Sequence, residues 1–66
     1  MSKAISRADM FVGEKCKIYY PWKQRFIQRV VYRDIEGYYV RYGGKRRELR
    51  ISTNDFGEFT GFEMLH

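Results

Sequence analysis

The segment from Tyr38 to Ile51, YYVRYGGKRRELRI, combines three tyrosines with five basic residues and only one acidic residue. Guanidinium groups pair with phosphate oxygens, and both aromatic rings and guanidinium planes stack on exposed nucleobases. The aliphatic residues Val40, Leu49 and Ile51 are spaced as strands space their buried side chains. The segment therefore predicts a strand pair whose outer face is both basic and aromatic.

The positive charge of the chain is concentrated in its middle. The net charge is +5, and residues 23–50 contain nine basic residues against three acidic ones. Residues 51–66 contain three acidic residues and no lysine or arginine. This local excess is greater than solubility requires, and it indicates a polyanionic partner.

We expect one sheet face to bind DNA or RNA through its cations and rings. The residues predicted to contact phosphate are Arg29, Arg33, Arg41, Lys45, Arg46, Arg47 and Arg50, and those predicted to stack on bases are Trp22 and Tyr39. No recognition helix is predicted, so shape or single strands are favoured over duplex sequence. A solvated sheet surface that prevents edge pairing is the alternative for the same residues.

No set of residues points to catalysis. The only histidine is His66 and the only cysteine is Cys16, and no carboxylates are paired at an informative spacing. We therefore predict no enzyme activity, no metal site and no cofactor, and both phosphate-binding glycine motifs are missing. Cys16 lies between two lysines, which could lower the pKa of a reactive thiol, but a small core residue is the favoured interpretation.

A single cysteine also bears on the compartment, because small secreted domains usually depend on disulfides. The chain has no apolar run long enough to cross a membrane and no signal-peptide core near its start. These features predict an intracellular, cytoplasmic protein that is not embedded in a membrane.

The elements that must position these residues are short strands, because apolar residues alternate and no helix-length periodicity appears. Five strands are predicted, over residues 14–20, 25–33, 38–42, 45–51 and 58–65. The phase of the second is ambiguous. A bulge near Gln28–Arg29 would place Phe26 and Val31 on one face, and it would decide whether Arg29 is exposed.

The connections between the predicted strands are tight. Residues 34–37 and Gly43-Gly44 are typical of hairpin turns, and residues 52–56 predict a 3₁₀ turn. Ser6 and Asp9 fit a capping box, so residues 1–13 are interpreted as a lead-in with a helical turn. Met10, Phe11 and Val12 would then cover one end of a closed barrel. Residues 14–66 would form one all-β domain, a small five-stranded barrel.

The order of these elements resembles the SH3-like barrels, and within them the Tudor and chromo-barrel group. The stretches that carry the resemblance are VGEKCKIYYPWKQRF, VVYRDIEGYYVRYGG and ELRISTNDF, which together cover about residues 13–56. Arg29 departs from the pattern, because that position is usually small. The resemblance implies an aromatic cage for methylated lysine or arginine, held by cation–π attraction and formed by Tyr20, Trp22, Phe26 and Tyr42.

Other interpretations of the same residues remain open. The resemblance would place an acidic wall of the cage near Asn54 or Asp55, whereas ordinary core packing is favoured for Tyr20, Phe26 and Tyr42. The basic face could also dock on an acidic protein, as in an accessory module or inhibitor. A homodimer through an exposed edge or through Phe59–Phe62 is compatible with each interpretation.

Overall fold

The computed structural model describes residues 7–65, and it is all-β apart from one helical turn at residues 7–9. Its six strands form a single sheet in the order β2-β1-β6-β5-β4-β3, which curls into a half-barrel. The strands are β1 (Lys15–Tyr20), β2 (Arg25–Val30), β3 (Tyr32–Asp34), β4 (Gly37–Tyr42), β5 (Lys45–Thr53) and β6 (Phe59–Met64).

The two edges of the sheet are joined by a single residue. β2 and β3 are consecutive in the chain but lie at opposite ends of the strand order, with only Val31 between them. Val31 is fully buried; its N–H donates to Glu14 O at 3.1 Å, and its carbonyl accepts from Gly13 N at 2.7 Å. This bend lets residues 25–34 pair with β1 at their start and with β4 at their end.

The predicted second strand is therefore two strands, and the sheet has six strands instead of five. The predicted bulge near Gln28–Arg29 is wrong, because β1 and β2 pair without interruption from Lys15↔Val30 to Tyr20↔Arg25. Phe26 is 63% exposed whereas Val31 is buried, so the two do not share a face. The chain changes direction at Val31 itself, and the neighbouring lead-in provides the hydrogen-bond partners of its backbone.

The turn before β6 also differs from the prediction. Residues 54–57 form one hydrogen-bonded turn, in which Gly57 N donates to Asn54 O at 3.0 Å, and no 3₁₀ helix occurs among the described residues. The Asn54 side chain accepts from Phe56 N at 2.9 Å and from Glu58 N at 3.0 Å. An Asn side chain that bonds the backbone two residues on is a common alternative to a helical turn.

The core lies on the inner face of the half-barrel and follows the predicted alternation. Its buried members are Ala8, Ile18, Tyr20, Val31, Tyr38, Val40, Leu49, Phe62 and Met64. The helical turn contributes Ala8, whereas Met10 is 75% exposed. Phe11 packs on Phe59 with 5.7 Å between ring centroids. Ala8 and, in part, Phe11 therefore cover the core, whereas the sequence predicted Met10, Phe11 and Val12 for this role.

Asp9 attaches the helical turn to the sheet. Both of its carboxylate oxygens accept from Arg33 Nη1 at 3.1 Å, and Oδ1 also accepts from the Tyr38 hydroxyl. Burial, together with the bond to Asp9, raises the pKa of Tyr38 to about 12. Asp9 thus acts as a tertiary contact; Ser6, its predicted capping-box partner, lies outside the described residues.

Replacing Asp9 should destabilise the fold measurably. In Asp9→Ala the nearly buried Tyr38 hydroxyl and the Arg33 guanidinium both lose this carboxylate, so we expect the free energy of unfolding to fall by about 1–3 kcal/mol. Urea denaturation would measure the change. Asp55→Ala, in the exposed turn before β6, is the matched control and should stay within about 0.5 kcal/mol of the wild type. Equal effects of the two substitutions would contradict the anchoring role of Asp9.

Candidate nucleic-acid interface

The outer face of β3, β4 and β5 carries a ladder of two rings and a guanidinium group. The rings of Tyr32 and Tyr39 are register partners and stack with 5.6 Å between centroids. The Arg46 guanidinium lies 4.0 Å from the Tyr39 centroid. Such cross-strand pairs stabilise a sheet, and we name Tyr32, Tyr39 and Arg46 the outer ladder.

Arg46 is surrounded by carboxylates. Its Nη2 donates to Asp34 Oδ1 at 2.9 Å, its Nε donates to Glu48, and Glu36 lies 3.5 Å from Nη2. The hydrogen bond from Arg46 lowers the pKa of Asp34 to about 2. Hydrogen bonds to Asp34 and Glu48 in turn raise the pKa of Arg46. A phosphate would have to compete with three carboxylates for this guanidinium group.

The outer face as a whole keeps little positive charge. Arg50 donates to Glu63 Oε1 at 3.2 Å, and these two residues are register partners on β5 and β6. The three arginines of this face are accompanied by four carboxylates; these residues are Arg41, Arg46 and Arg50 with Asp34, Glu36, Glu48 and Glu63. The predicted basic face is therefore close to neutral where its rings lie.

The residues predicted to bind phosphate lie in several places and do not form one face. Arg33 is the register partner of Tyr38, and its guanidinium lies 5.4 Å from that ring, on the side of the helical turn. Lys45 is exposed opposite Tyr42, across the 43–44 turn. Arg29 and Arg47 line a pocket at one end of the half-barrel, together with Trp22.

This pocket opens where β1, β4 and β6 end and where β2 and β5 begin. Its volume is about 440 Å³, within the range of roughly 300–1,000 Å³ that is common for small-molecule sites. We name it the basic–aromatic pocket. Its lining consists of Tyr20, Trp22, Lys23, Arg25, Ile27, Arg29, Tyr42, Arg47, Met64 and Leu65.

Three rings shape the pocket. Tyr20 is buried, and Trp22 packs edge-on against it with 5.4 Å between centroids. Trp22 is 45% exposed and Tyr42 is 51% exposed, so both offer ring surface to a ligand. The turn that carries Trp22 is closed by hydrogen bonds from Lys23 N to Tyr20 O at 3.0 Å and from Gln24 N to Pro21 O at 3.2 Å.

Arg29 closes the seam between the two edges of the sheet. Its guanidinium lies 5.0 Å from the Tyr42 centroid, and its Nη1 donates to Gln28 O at 2.8 Å. β2 and β4 are not paired by hydrogen bonds in the described sheet, so this cation–π contact spans the gap between them. Arg29 is thus half-buried, and its guanidinium group contacts a ring and a carbonyl oxygen instead of a buried carboxylate.

The charge of the pocket has one sign. Four cations line it, none of them forms an ion pair with another of residues 7–65, and no described Asp or Glu contributes to the lining. They are Lys23, Arg25, Arg29 and Arg47. A concave site lined by one sign of charge raises the local concentration of counter-ions. Sequence reasoning missed Lys23 and Arg25 as binding residues, although Lys23 follows Trp22 in the same loop and Arg25 begins the next strand.

One polar group of the pocket has no partner. The Tyr20 hydroxyl is buried and accepts or donates no hydrogen bond within the described part of the chain. Buried hydroxyls are usually hydrogen-bonded, and leaving one unsatisfied costs about 1–3 kcal/mol. Tyr20 therefore contributes its ring to the pocket, while its hydroxyl is closed to solvent.

The predicted aromatic cage is assembled only in part. Tyr20, Trp22 and Tyr42 line the same pocket, but Phe26 lies on the outer face, where its ring packs on Tyr19 at 5.1 Å. Asn54, near the expected acidic wall, bonds its own turn instead of lining the pocket. Four cationic side chains line the same pocket as these three rings.

The second cavity, of about 290 Å³, lies beside Cys16, Phe59 and Phe62. Burial, together with Glu14, raises the pKa of the Cys16 thiol, and Sγ donates to Glu14 O at 3.4 Å. The lysines on either side do not lower it, so Cys16 is a packing residue. Phe59 and Phe62 pack edge-on against each other with 5.1 Å between ring centroids, and Phe62 is buried.

The ion pair of Asp34 with Arg46 should appear in acid titration. The pKa of Asp34 in the folded protein is below its ordinary value of 3.8, so the pair stabilises the folded state fully above about pH 4 and loses this effect as the pH falls through about 2. Carboxyl NMR should give a midpoint near 2. In Arg46→Gln it should return toward 3.8, and a wild-type midpoint near 4 would show that the pair does not form.

No group of three or more His, Cys, Asp or Glu side chains among residues 7–65 is placed to hold a metal ion. None of the helical structure in this part of the chain is long and apolar enough to cross a membrane. Comparison of the chain with protein-family models finds no match, and neither the curated proteins nor the solved structures provide one.

Proposed function

We propose that this protein is a small SH3-like barrel that binds single-stranded nucleic acid at the basic–aromatic pocket. One observation carries the proposal: four cations without ion pairs among residues 7–65 surround partly exposed aromatic rings in a cavity without described carboxylates. Phosphate is attracted by the cations, and bases stack on rings or guanidinium planes.

The rings make nucleic acid a better candidate than an anion of another kind. Trp22 and Tyr42 each expose about half of their surface, and every nucleobase has a face that can stack on such a ring. A concave pocket accepts an unpaired base, whereas reading a duplex in its major groove needs a helix or a projecting ribbon. Single strands therefore fit the pocket better than duplexes.

The cationic surface continues from the pocket along the hairpin of β4 and β5. Lys45 is the register partner of Tyr42, and Arg41 is the register partner of Arg46 on the outer side. Both are exposed, and neither forms an ion pair within residues 7–65. A strand that leaves the pocket past Tyr42 would meet these two cations, so they extend the proposed path of the backbone.

The SH3-like assignment within the all-β class is supported by the bent segment at residues 25–34, which pairs with β1 at one end and with β4 at the other. Within that class, the surroundings of the pocket favour an anion over the methylated cation of a Tudor-type reader. Lys23, Arg25 and Arg47 would repel a methylated lysine or arginine, which keeps its positive charge.

The proposal predicts salt-dependent binding that depends on the pocket cations. A fluorescein-labelled single strand should bind more weakly as salt rises, with a log–log slope of about −0.7 for each phosphate that is neutralised. Arg25→Gln combined with Arg47→Gln should weaken binding and reduce the magnitude of the slope. Fluorescence anisotropy at several salt concentrations would measure both.

The matched control removes two charges from the outer face, with Arg46→Gln and Arg50→Gln in one variant. It should lower affinity less than the pocket variant. If the control lowered affinity as much or more, the outer face predicted from the sequence would be the binding surface. If polyglutamate of equal charge competed as well as the oligonucleotide, an acidic protein partner would replace nucleic acid.

Stacking on Trp22 should contribute separately from charge. Trp22→Ala should cost about 1–3 kcal/mol of binding free energy while leaving the salt slope unchanged, because the number of phosphate contacts stays the same. Phe26→Ala removes an exposed ring of the outer face and is the control. An unchanged affinity in Trp22→Ala would remove this residue from the site, and tighter binding of a trimethyl-lysine peptide than of the oligonucleotide would support the cage.

A further inference from the structure

The charge of the basic–aromatic pocket exceeds what one internal phosphate of a strand needs. We propose that the pocket holds the end of the strand, with a terminal phosphomonoester among Lys23, Arg25, Arg29 and Arg47. This inference rests on the proposed function and names the part of the nucleic acid that enters the pocket. It applies to a 5′- or a 3′-phosphate, since both present the same chemical group.

The first argument is the balance of charge. An internal phosphodiester carries one negative charge, whereas a phosphomonoester carries about −1.5 to −2 at neutral pH. The four lining cations have no ion pair with the rest of residues 7–65. Each additional negative charge on the ligand therefore meets uncompensated positive charge, and this favours the group with the higher charge.

The second argument is the number of hydrogen-bond donors. A terminal phosphate offers three free oxygens, one more than the two non-bridging oxygens of a diester. Guanidinium groups can bind two oxygens at once, and three of the four cations are arginines.

The third argument is the shape of the cavity. The residues that close it on the inner side are Tyr20, Ile27 and Met64, which belong to the core or pack against it. A cavity that ends on the core admits the end of a strand more easily than a chain that must enter and leave. The exposed rings of Trp22 and Tyr42 lie at the opening, where the last bases could stack.

The experiment compares one single-stranded sequence with different ends at constant salt. Anisotropy competition would use a 5′-phosphate, a 3′-phosphate, hydroxyl ends, a 5′-methylphosphate and a circular strand without ends. The strand with the recognised phosphate should bind about ten times more tightly than the hydroxyl or circular forms. The methylphosphate keeps the bulk but loses one charge, so it should bind as weakly as they do.

The outcomes separate this inference from the proposed function. Equal affinity for all five strands would overturn end recognition while leaving nucleic-acid binding in place. Absence of binding to every strand would remove both. In Arg29→Gln and in Arg47→Gln the preference for the phosphorylated end should disappear, whereas Arg50→Gln, on the outer face, should keep it.

Tyr20→Phe tests the unpartnered hydroxyl without changing the ring. The variant should be at least as stable as the wild type, because it removes a buried group that has no partner within residues 7–65. Because the hydroxyl is buried and closed to solvent, its removal should leave the preference for the phosphorylated end unchanged. A stable variant with full preference would show that the cations alone recognise the end.

Discussion

The chain passes from one edge of the sheet to the other at the buried residue Val31. This single residue connects the two edges of the sheet. Its backbone N–H and carbonyl are both hydrogen-bonded to the segment 13–14, which holds the bend in place. The bend brings β2 against β4 without pairing them, and it leaves Arg29 beside Tyr42. Without this crossing, the residues of the basic–aromatic pocket would lie at opposite edges of an open sheet.

Ion pairing, and not the number of cations, decides which surface keeps its charge. Arg46 meets carboxylates from the 34–37 hairpin and from its own strand, and Arg50 meets one from β6. These pairs connect neighbouring strands, and they neutralise the face that looks most basic in the sequence. The cations at the end of the half-barrel have no such neighbours within residues 7–65, so this end keeps its positive charge.

The pocket also illustrates how one set of rings can suit opposite ligands. Aromatic faces attract cations, but they also stack on bases, and the surrounding charges determine which occurs. Three of the four rings implied by the resemblance meet in the pocket, while Phe26 lies on the other side of the sheet. A cationic ligand is attracted by negative charge around such rings. The arginines and the lysine around these rings are positively charged and would repel it.

Alternation and glycine placement are local properties, so the all-β class, most strand positions, the hairpin turns and the inward faces of β1, β4 and β5 could be predicted from the sequence. It also singled out Trp22 and Arg47 as candidate binding residues. The bend after β2, the pairing of cations with carboxylates, and the meeting of Lys23 and Arg25 with Arg29 at one site became visible only in the folded chain. These outcomes depend on contacts between residues far apart in the chain, such as Arg46 with Asp34 and Arg29 with Tyr42, which no local pattern encodes.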